Sequence, residues 1–406
     1  MPGRVTVEEI ARRLGVSAAD VDHLVDAGVL HLDADGLLDP GDVHRVRLLS
    51  GFESAGVPLD ALIAADRAGR ISLRYYDQLH PPPAPLSGRT YAEFAASLGP
   101  AAANLPGLFA AFGLAEPAAD TSLDVEIETL VTQMLEIIET IGQPDLALRA
   151  IRLFGEGSRR SADGALAVYA EAVARMTGDF AGLPTDEMFE SVLWPWAQFA
   201  RQSAPLATFL ASRHLTRAID EYSVSQTEQI LEADGFVAPR PARPPAIAFV
   251  DLTGFTRLTQ EIGDESAAAI ALRLGEVAMD TVRGHGGRLV KLLGDGVLLR
   301  FDDLAEAVGG ALDLLDALPA SGLPTGHAGV AAGYVIDRDN DVFGQTVNLA
   351  ARIADVAPDG RLYLTGRDAR ALHEDDGYVT APVDGVALQG IGVVEVVDVR
   401  RASSAR

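Results

Sequence analysis

The sequence predicts an all-α region over its first 235 or so residues, followed by an α+β, ferredoxin-like domain with a split βαβ core. Three observations carry this. Apolar residues recur at helical spacing up to residue 233. A Pro-rich joint, Gly235-Phe-Val-Ala-Pro-Arg-Pro-Ala-Arg-Pro-Pro245, then breaks the pattern. From residue 246 the succession becomes strand, helix, strand, strand, helix, strand.

The first element is a helix opened by Thr6-Val-Glu-Glu9, a capping box followed by Ile10 and Leu14. Ser17-Ala-Ala-Asp20 opens a second, carrying Val21, Leu24 and Val25 and ending at Gly28. This start, with Asp42-Val-His-Arg-Val-Arg and Gly56-Val-Pro-Leu, resembles the winged helix-turn-helix of mercury-resistance-type regulators. The resemblance implies DNA binding. The second helix, however, has three Asp and neither Arg nor Lys, whereas phosphate and guanine contacts need those cations. A helical module used for protein contacts, with no nucleic acid as partner, is the expectation.

His80-Pro-Pro-Pro-Ala-Pro85 marks a boundary, so the modules fall at 1–80, 86–235 and 241–401. Between 89 and 233 the helices are expected to break at Gly107, Gly113, Gly142-Gln-Pro144, Gly155, Gly178, Gly182-Leu-Pro184 and Pro205. Leu123, Ile127, Leu130, Val131, Met134, Ile138 and Ile141 form one apolar face, read as core. The absence of cysteine excludes disulfides and thiolate metal sites and fits a reducing cytoplasm. There is no apolar run of membrane-spanning length, so a cytoplasmic protein with no membrane partner is expected. A net charge of −25 opposes general attraction to polyanions, so an anionic ligand must be met by local cations or bound metal.

The strands of the second region are placed at 246–250, 287–293, 297–301 and about 327–336, with helices at 264–283, 303–318 and 344–356. Gly294-Asp295-Gly296 joins two strands, with Asp-Gly expected to supply the positive φ of a two-residue turn. Asp295 then stands at a hairpin tip, with Lys291 four residues back. Asp251 sits at the end of another strand. Two such carboxylates suit a pair of Mg²⁺ or Mn²⁺ ions, which take oxygen ligands and keep positions open for phosphate. Asp251-Leu-Thr-Gly-Phe255-Thr256 leads into a helix whose free N–H groups can receive phosphate oxygens. That makes Phe255 and Thr256 substrate-binding candidates.

Phe-Val-Asp251-Leu-Thr-Gly-Phe-Thr, Lys291-Leu-Leu-Gly-Asp-Gly and Asp341-Val-Phe-Gly-Gln-Thr-Val-Asn348-Leu-Ala-Ala-Arg352 together resemble the catalytic domain of class III adenylyl cyclases. The weaker match of the helical region is to the regulatory parts of some actinobacterial cyclases. The resemblance implies that Asp251 and Asp295 hold two divalent cations, that Lys291 and Asp341 read adenine, and that Asn348 orients the ribose. Arg352 would stabilise charge on the α-phosphate of ATP as the 3′-hydroxyl attacks, giving 3′,5′-cyclic AMP and pyrophosphate. It implies a homodimer too, with metal acids from one chain and Lys291, Asp341, Asn348 and Arg352 from the other. One position departs from the pattern: Gln389 stands where family members often carry a phosphate-binding Lys. A catalytically silent cyclase fold that dimerises the helix-turn-helix module is the alternative.

Overall fold

In a computed structural model of the protein, which describes residues 4–71, 73, 80, 83–177, 194–238, 244–372 and 377–402, the first helices start where their caps predict. Thr6 Oγ1 accepts from the Glu9 N–H at 3.2 Å and opens α1 (Val7–Leu14). Ser17 and Asp20 bond reciprocally to open α2 (Ala18–Asp26), so two N–H groups with no helical partner are satisfied at once. With α3 (Asp42–Ser54) and α4 (Leu59–Arg67) these helices close over Ile10, Val21, Leu24, Leu38 and Leu49. Asp20, Asp22 and Asp26 of α2 all face solvent.

The next stretch is helical, with one departure. Strands β1 (Leu86–Thr90) and β2 (Ser122–Asp124) pair antiparallel; neither is long enough to show a period in the sequence. Around them lie α5 (Tyr91–Ser97), a 3₁₀ turn (Gly99–Asn104), α6 (Leu105–Phe112), α7 (Val125–Ile141), α8 (Pro144–Thr177) and α9 (Trp194–Ala233).

Gly113 and Gly142 end helices at φ 74° and 66°, as expected. Gly107, Gly155 and Pro205 do not break theirs. Gly107 lies in the first turn of α6, and Pro205 sits within α9. Gly155 serves packing instead: a Cβ there would lie 2.4 Å from the Ala111 carbonyl oxygen, so α8 and α6 can cross closely only without one. The expected breaks at Gly178 and Gly182-Leu-Pro184 fall outside the described residues. On α7 the buried stripe is Val131, Leu135 and Ile138, with Leu123 ahead of it. Leu130 and Ile141 face outward at 45% and 48% exposure, while Leu135, outside the predicted set, is buried; the predicted face has the right direction but includes two exposed positions and misses one buried one.

These elements, up to Ile230 near the end of α9, belong to one compact unit, Met1–Ile230; Leu231–Arg406 forms a second. The second unit holds a seven-stranded sheet in the order β10-β11-β9-β6-β3-β5-β4. Its strands are β3 (Ala246–Leu252), β4 (Arg288–Leu292), β5 (Gly296–Phe301), β6 (Gly326–Ala332), β9 (Leu362–Thr365), β10 (Tyr378–Leu388) and β11 (Gly392–Arg401). A separate hairpin pairs β7 (Ile336–Arg338) with β8 (Asp341–Phe343), so the strand expected over 327–336 is really β6 plus the start of this hairpin.

Helices α10 (Phe255–Ile262) and α11 (Asp264–Arg283) follow β3; α12 (Leu304–Ala320) follows β5 and α13 (Gln345–Ala354) follows β8. A short α14 (Gly366–Ala369) follows β9. Strand β5 lies between β3 and β4 and pairs antiparallel with both, which is the predicted split βαβ core. Strand β3 reads as a continuous apolar run because both faces are covered. Ala246, Ala248 and Val250 pack with residues of α11 and α12, and Ile247 and Phe249 with residues of α13. Burying the middle of the sheet in this way makes the ends of β3, β5 and β6 a rigid platform.

Candidate active site

The platform carries the first metal-site candidate. Asp251 lies within β3, its backbone opposite Gly296 on one side and His327 on the other. Its carboxylate lies over Gly296, where a Cβ would come 1.7 Å from Oδ1; only glycine lets the side chain occupy that place. Asp295 is in the adjoining hairpin turn, and its carbonyl accepts from the Leu252 N–H at 2.9 Å. The turn differs from the Asp-Gly form expected. Leu293 N bonds to Gly296 O, so the two central residues are Gly294 and Asp295, and the positive φ of 75° belongs to Gly294. A glycine in the first central position is the II′ solution, which fits the strand twist as well as the I′ solution does.

Burial pushes the Asp251 carboxyl above its ordinary pKa. The His327 imidazole opposes that, while the Asp295 and Asp355 carboxylates add to it. Neither the Asp251 nor the Asp295 carboxylate has a hydrogen-bond or ion-pair partner among the described residues. Two adjacent oxygen donors left without protein partners suit a hard divalent cation. Among the described residues no group of three or more His, Asp or Glu is placed to hold a metal, so the remaining ligands would have to be water and substrate phosphate. That open shell is what a catalytic Mg²⁺ or Mn²⁺ site requires.

A second group forms across β4 and β8. Lys291 Nζ donates to Asp341 Oδ2 at 2.6 Å, joining residues 50 apart in sequence. Asp341 Oδ1 also accepts from the Val342 N–H at 2.8 Å. Desolvation works against ionisation, but the Lys291 and Val342 hydrogen bonds and the Lys291 charge hold the Asp341 carboxyl below its ordinary pKa. Lys291 is also the chain's single lysine. The cations elsewhere are Arg and His, so here alone the protein places a compact ammonium donor.

A third group lies on α13, where Asn348 and Arg352, four residues apart, share a face. Asn348 is exposed. Arg352 NH1 bonds to Asp355 Oδ2 at 2.9 Å, which fixes one edge of the guanidinium and leaves the other nitrogens open. Thr256 is exposed at the start of α10, whereas Phe255 is half-buried and packs against the large core. Gln389 is exposed in the turn between β10 and β11. No hydrogen bond or ion pair among the described residues joins the metal acids to either of the other two groups.

Motif reading passed over His327, Asp355, Asp359 and Thr253. Thr253 lies inside the first motif. Asp359 sits in Pro358-Asp359-Gly360, whose composition signals only a turn. Only the fold brings His327 and Asp355 beside Asp251, and Asp359 against Thr253.

The second unit thus has a ferredoxin-like, split βαβ core within its seven-stranded sheet. The sequence is similar to actinobacterial adenylate cyclases. It is 39% identical over 131 residues to an adenylate cyclase of Streptomyces griseus, covering 32% of this chain and 33% of that one. A pH-sensitive adenylate cyclase of Mycobacterium tuberculosis is 27% identical over 266 residues, 64% of each chain; this match is longer than the second unit and so extends into the first. The adenylyl cyclase CyaB of P. aeruginosa superimposes on 40% of this chain and 96% of its own, at 18% identity and a TM-score of 0.36. The chain spans about a third of the length of the Streptomyces relative it matches. No family model matches the chain.

Proposed function

We propose that the protein is an adenylyl cyclase that converts ATP to 3′,5′-cyclic AMP and pyrophosphate. The observation that carries the reading is the Lys291–Asp341 contact of 2.6 Å. Adenine presents an acceptor at N1 and a donor amine at C6, which a Lys donor and an Asp acceptor complement. Without a base, the same two groups satisfy each other. Guanine reverses the pattern and would leave both wrongly paired in a closed site.

Asp251 and Asp295 would hold two divalent cations, which when bound acidify the 3′-hydroxyl and offset phosphate charge. The N-terminus of α10, at Phe255 and Thr256, supplies N–H groups for phosphate oxygens. Asn348 orients the ribose, so that the 3′-oxygen lies in line with the bond from the α-phosphorus to the departing pyrophosphate. As the new O–P bond forms and that bond breaks, Arg352 meets the charge that builds on the α-phosphoryl oxygens. The groups are joined in a homodimer, metal acids from one chain and the base and transition-state groups from its partner. With Gln389 in place of a cation, the terminal phosphates are held more weakly.

The test is product formation from ATP and GTP by purified protein with Mn²⁺. Lys291→Glu combined with Asp341→Cys is expected to lower the ATP-to-GTP rate ratio at least about tenfold, one mispaired hydrogen-bonding group in a buried site being worth that much. An unchanged ratio would place base selection elsewhere.

The first unit is proposed to control this activity. Similarity to the pH-sensitive relative reaches into it, and the solvent-facing acids of α2 disfavour a DNA-binding role. No helix among the described residues is long and apolar enough to cross a membrane. Removing residues 1–235 is expected to change the cyclase rate or its pH profile; identical profiles would deny the region a regulatory role.

A further inference from the structure

The loop that precedes β9 touches the loop that follows Asp251. Thr253, two residues after Asp251, donates its hydroxyl to Asp359 Oδ1 at 2.8 Å. His327 Nδ1 lies 3.5 Å from the same hydroxyl, which can accept from it while donating to Asp359. The hydroxyls of Thr325, at the start of β6, and of Thr253, in the β3–α10 loop, together help hold the Asp359 carboxyl below its ordinary pKa. Backbone bonds run in parallel: Thr253 N to Thr325 O and Gly360 N to Gly326 O, both 2.8 Å. Gly254, next in the chain, takes φ 71° and caps α10. The position of Thr253 therefore sets where α10 begins and how the Asp251 end of β3 is held.

We propose that Asp359 is a positioning residue for the metal-holding half of the site, acting through Thr253 and Thr325 on the Asp251–Gly254 loop. The proposal rests on the cyclase reading above. It also gives the α13–β9 segment two duties. Helix α13 carries Asn348 and Arg352 for one site of the dimer. The loop after it, ending at Asp359 and Gly360, fixes the metal loop of the other.

This assigns Asp359 to a complementation group, which a merely structural role would not do. Asp359→Ala is expected to lower kcat/KM about 10- to 100-fold, the range for a reacting group displaced by a fraction of an ångström to an ångström. Mixed with Arg352→Ala, it should recover activity toward a quarter of wild type, because each mixed dimer then has one site with both halves intact. Mixed with Asp251→Ala it should recover none, since both lesions lie in metal halves. Wild-type kinetics for Asp359→Ala, or rescue by Asp251→Ala in place of Arg352→Ala, would overturn the proposal.

Should Asp359→Ala fail to fold, Thr253→Val and Thr325→Val together remove both hydroxyl donors without removing a charge, and the same two mixtures apply. An Asp251→Ala with Arg352→Ala mixture serves as control. No recovery there, or no wild-type turnover of ATP, counts against the cyclase reading itself. Recovery there combined with failure of the Asp359→Ala and Arg352→Ala mixture counts against Asp359 alone.

Discussion

Asp251→Asn will abolish cyclic AMP formation and, in the same protein, raise the thermal midpoint of the metal-free state at neutral pH. On the proposed role of Asp251, the loss follows from removing a cation ligand. Charge stabilisation of several kcal/mol in the transition state corresponds to at least about a thousandfold in rate. The gain in stability follows from the Asp251 carboxyl itself. Burial raises its pKa in the folded protein; the His327 imidazole opposes the rise, and Asp295 and Asp355 add to it. The folded state thus holds this proton more tightly than the unfolded chain does. The favourable contribution is complete below the ordinary carboxylate pKa and is lost as pH rises through the raised folded value. At neutral pH the ionised side chain is a net cost, which an amide of the same shape avoids.

The midpoint gap between variant and wild type should therefore close as pH falls through that window. Mn²⁺ should raise the wild-type midpoint by mass action and move the variant much less. Thermal scans with and without Mn²⁺ measure all of this without any turnover. Equal midpoints at neutral pH would contradict the electrostatic account, and normal turnover by the variant would remove Asp251 from the metal site.

The sequence was most informative where chemistry and local structure coincide. Asp251 and Asp295 are marked by strand ends and a glycine-bounded turn. The Asn348 and Arg352 pair is marked by the motif that resembles the cyclases, and the N-caps of α1 and α2 by short-range patterns. All of these depend on a few neighbouring residues. The hairpin at Gly294–Asp295 was legible as a turn but not in its type, because Gly294 and Gly296 are both suited to positive φ. What decides between them is tertiary: Gly296 is needed bare beneath the Asp251 carboxylate, and Gly294 is left to make the turn.

Gly155 misled for the same kind of reason. A glycine that admits a crossing helix has the same sequence signature as one that ends a helix. Thr253, Thr325, His327 and Asp359 were illegible because they come from separate loops and strands, and only the order of β3, β6 and β9 in the sheet brings them together.

The proposed shared site gives the other large expected effect. On that proposal Asp251→Ala disables the half that would hold metal, and Arg352→Ala disables the half that would stabilise the transition state. Each variant alone forms dimers with two broken sites and should be inactive. In a mixed dimer both lesions fall in one site, and the other site has an intact half from each chain. With free exchange at equal amounts, half of the dimers are mixed and each has one working site of two. Closed two-fold symmetry then predicts recovery to about a quarter of wild-type activity. Dilution should lower the recovered activity as dimers dissociate, by mass action. Size-exclusion chromatography of a mixture in which one variant carries a distinguishable tag establishes exchange independently of turnover. A site built within a single chain cannot be repaired by a partner broken elsewhere, so proven exchange without recovery would rule out the dimeric site.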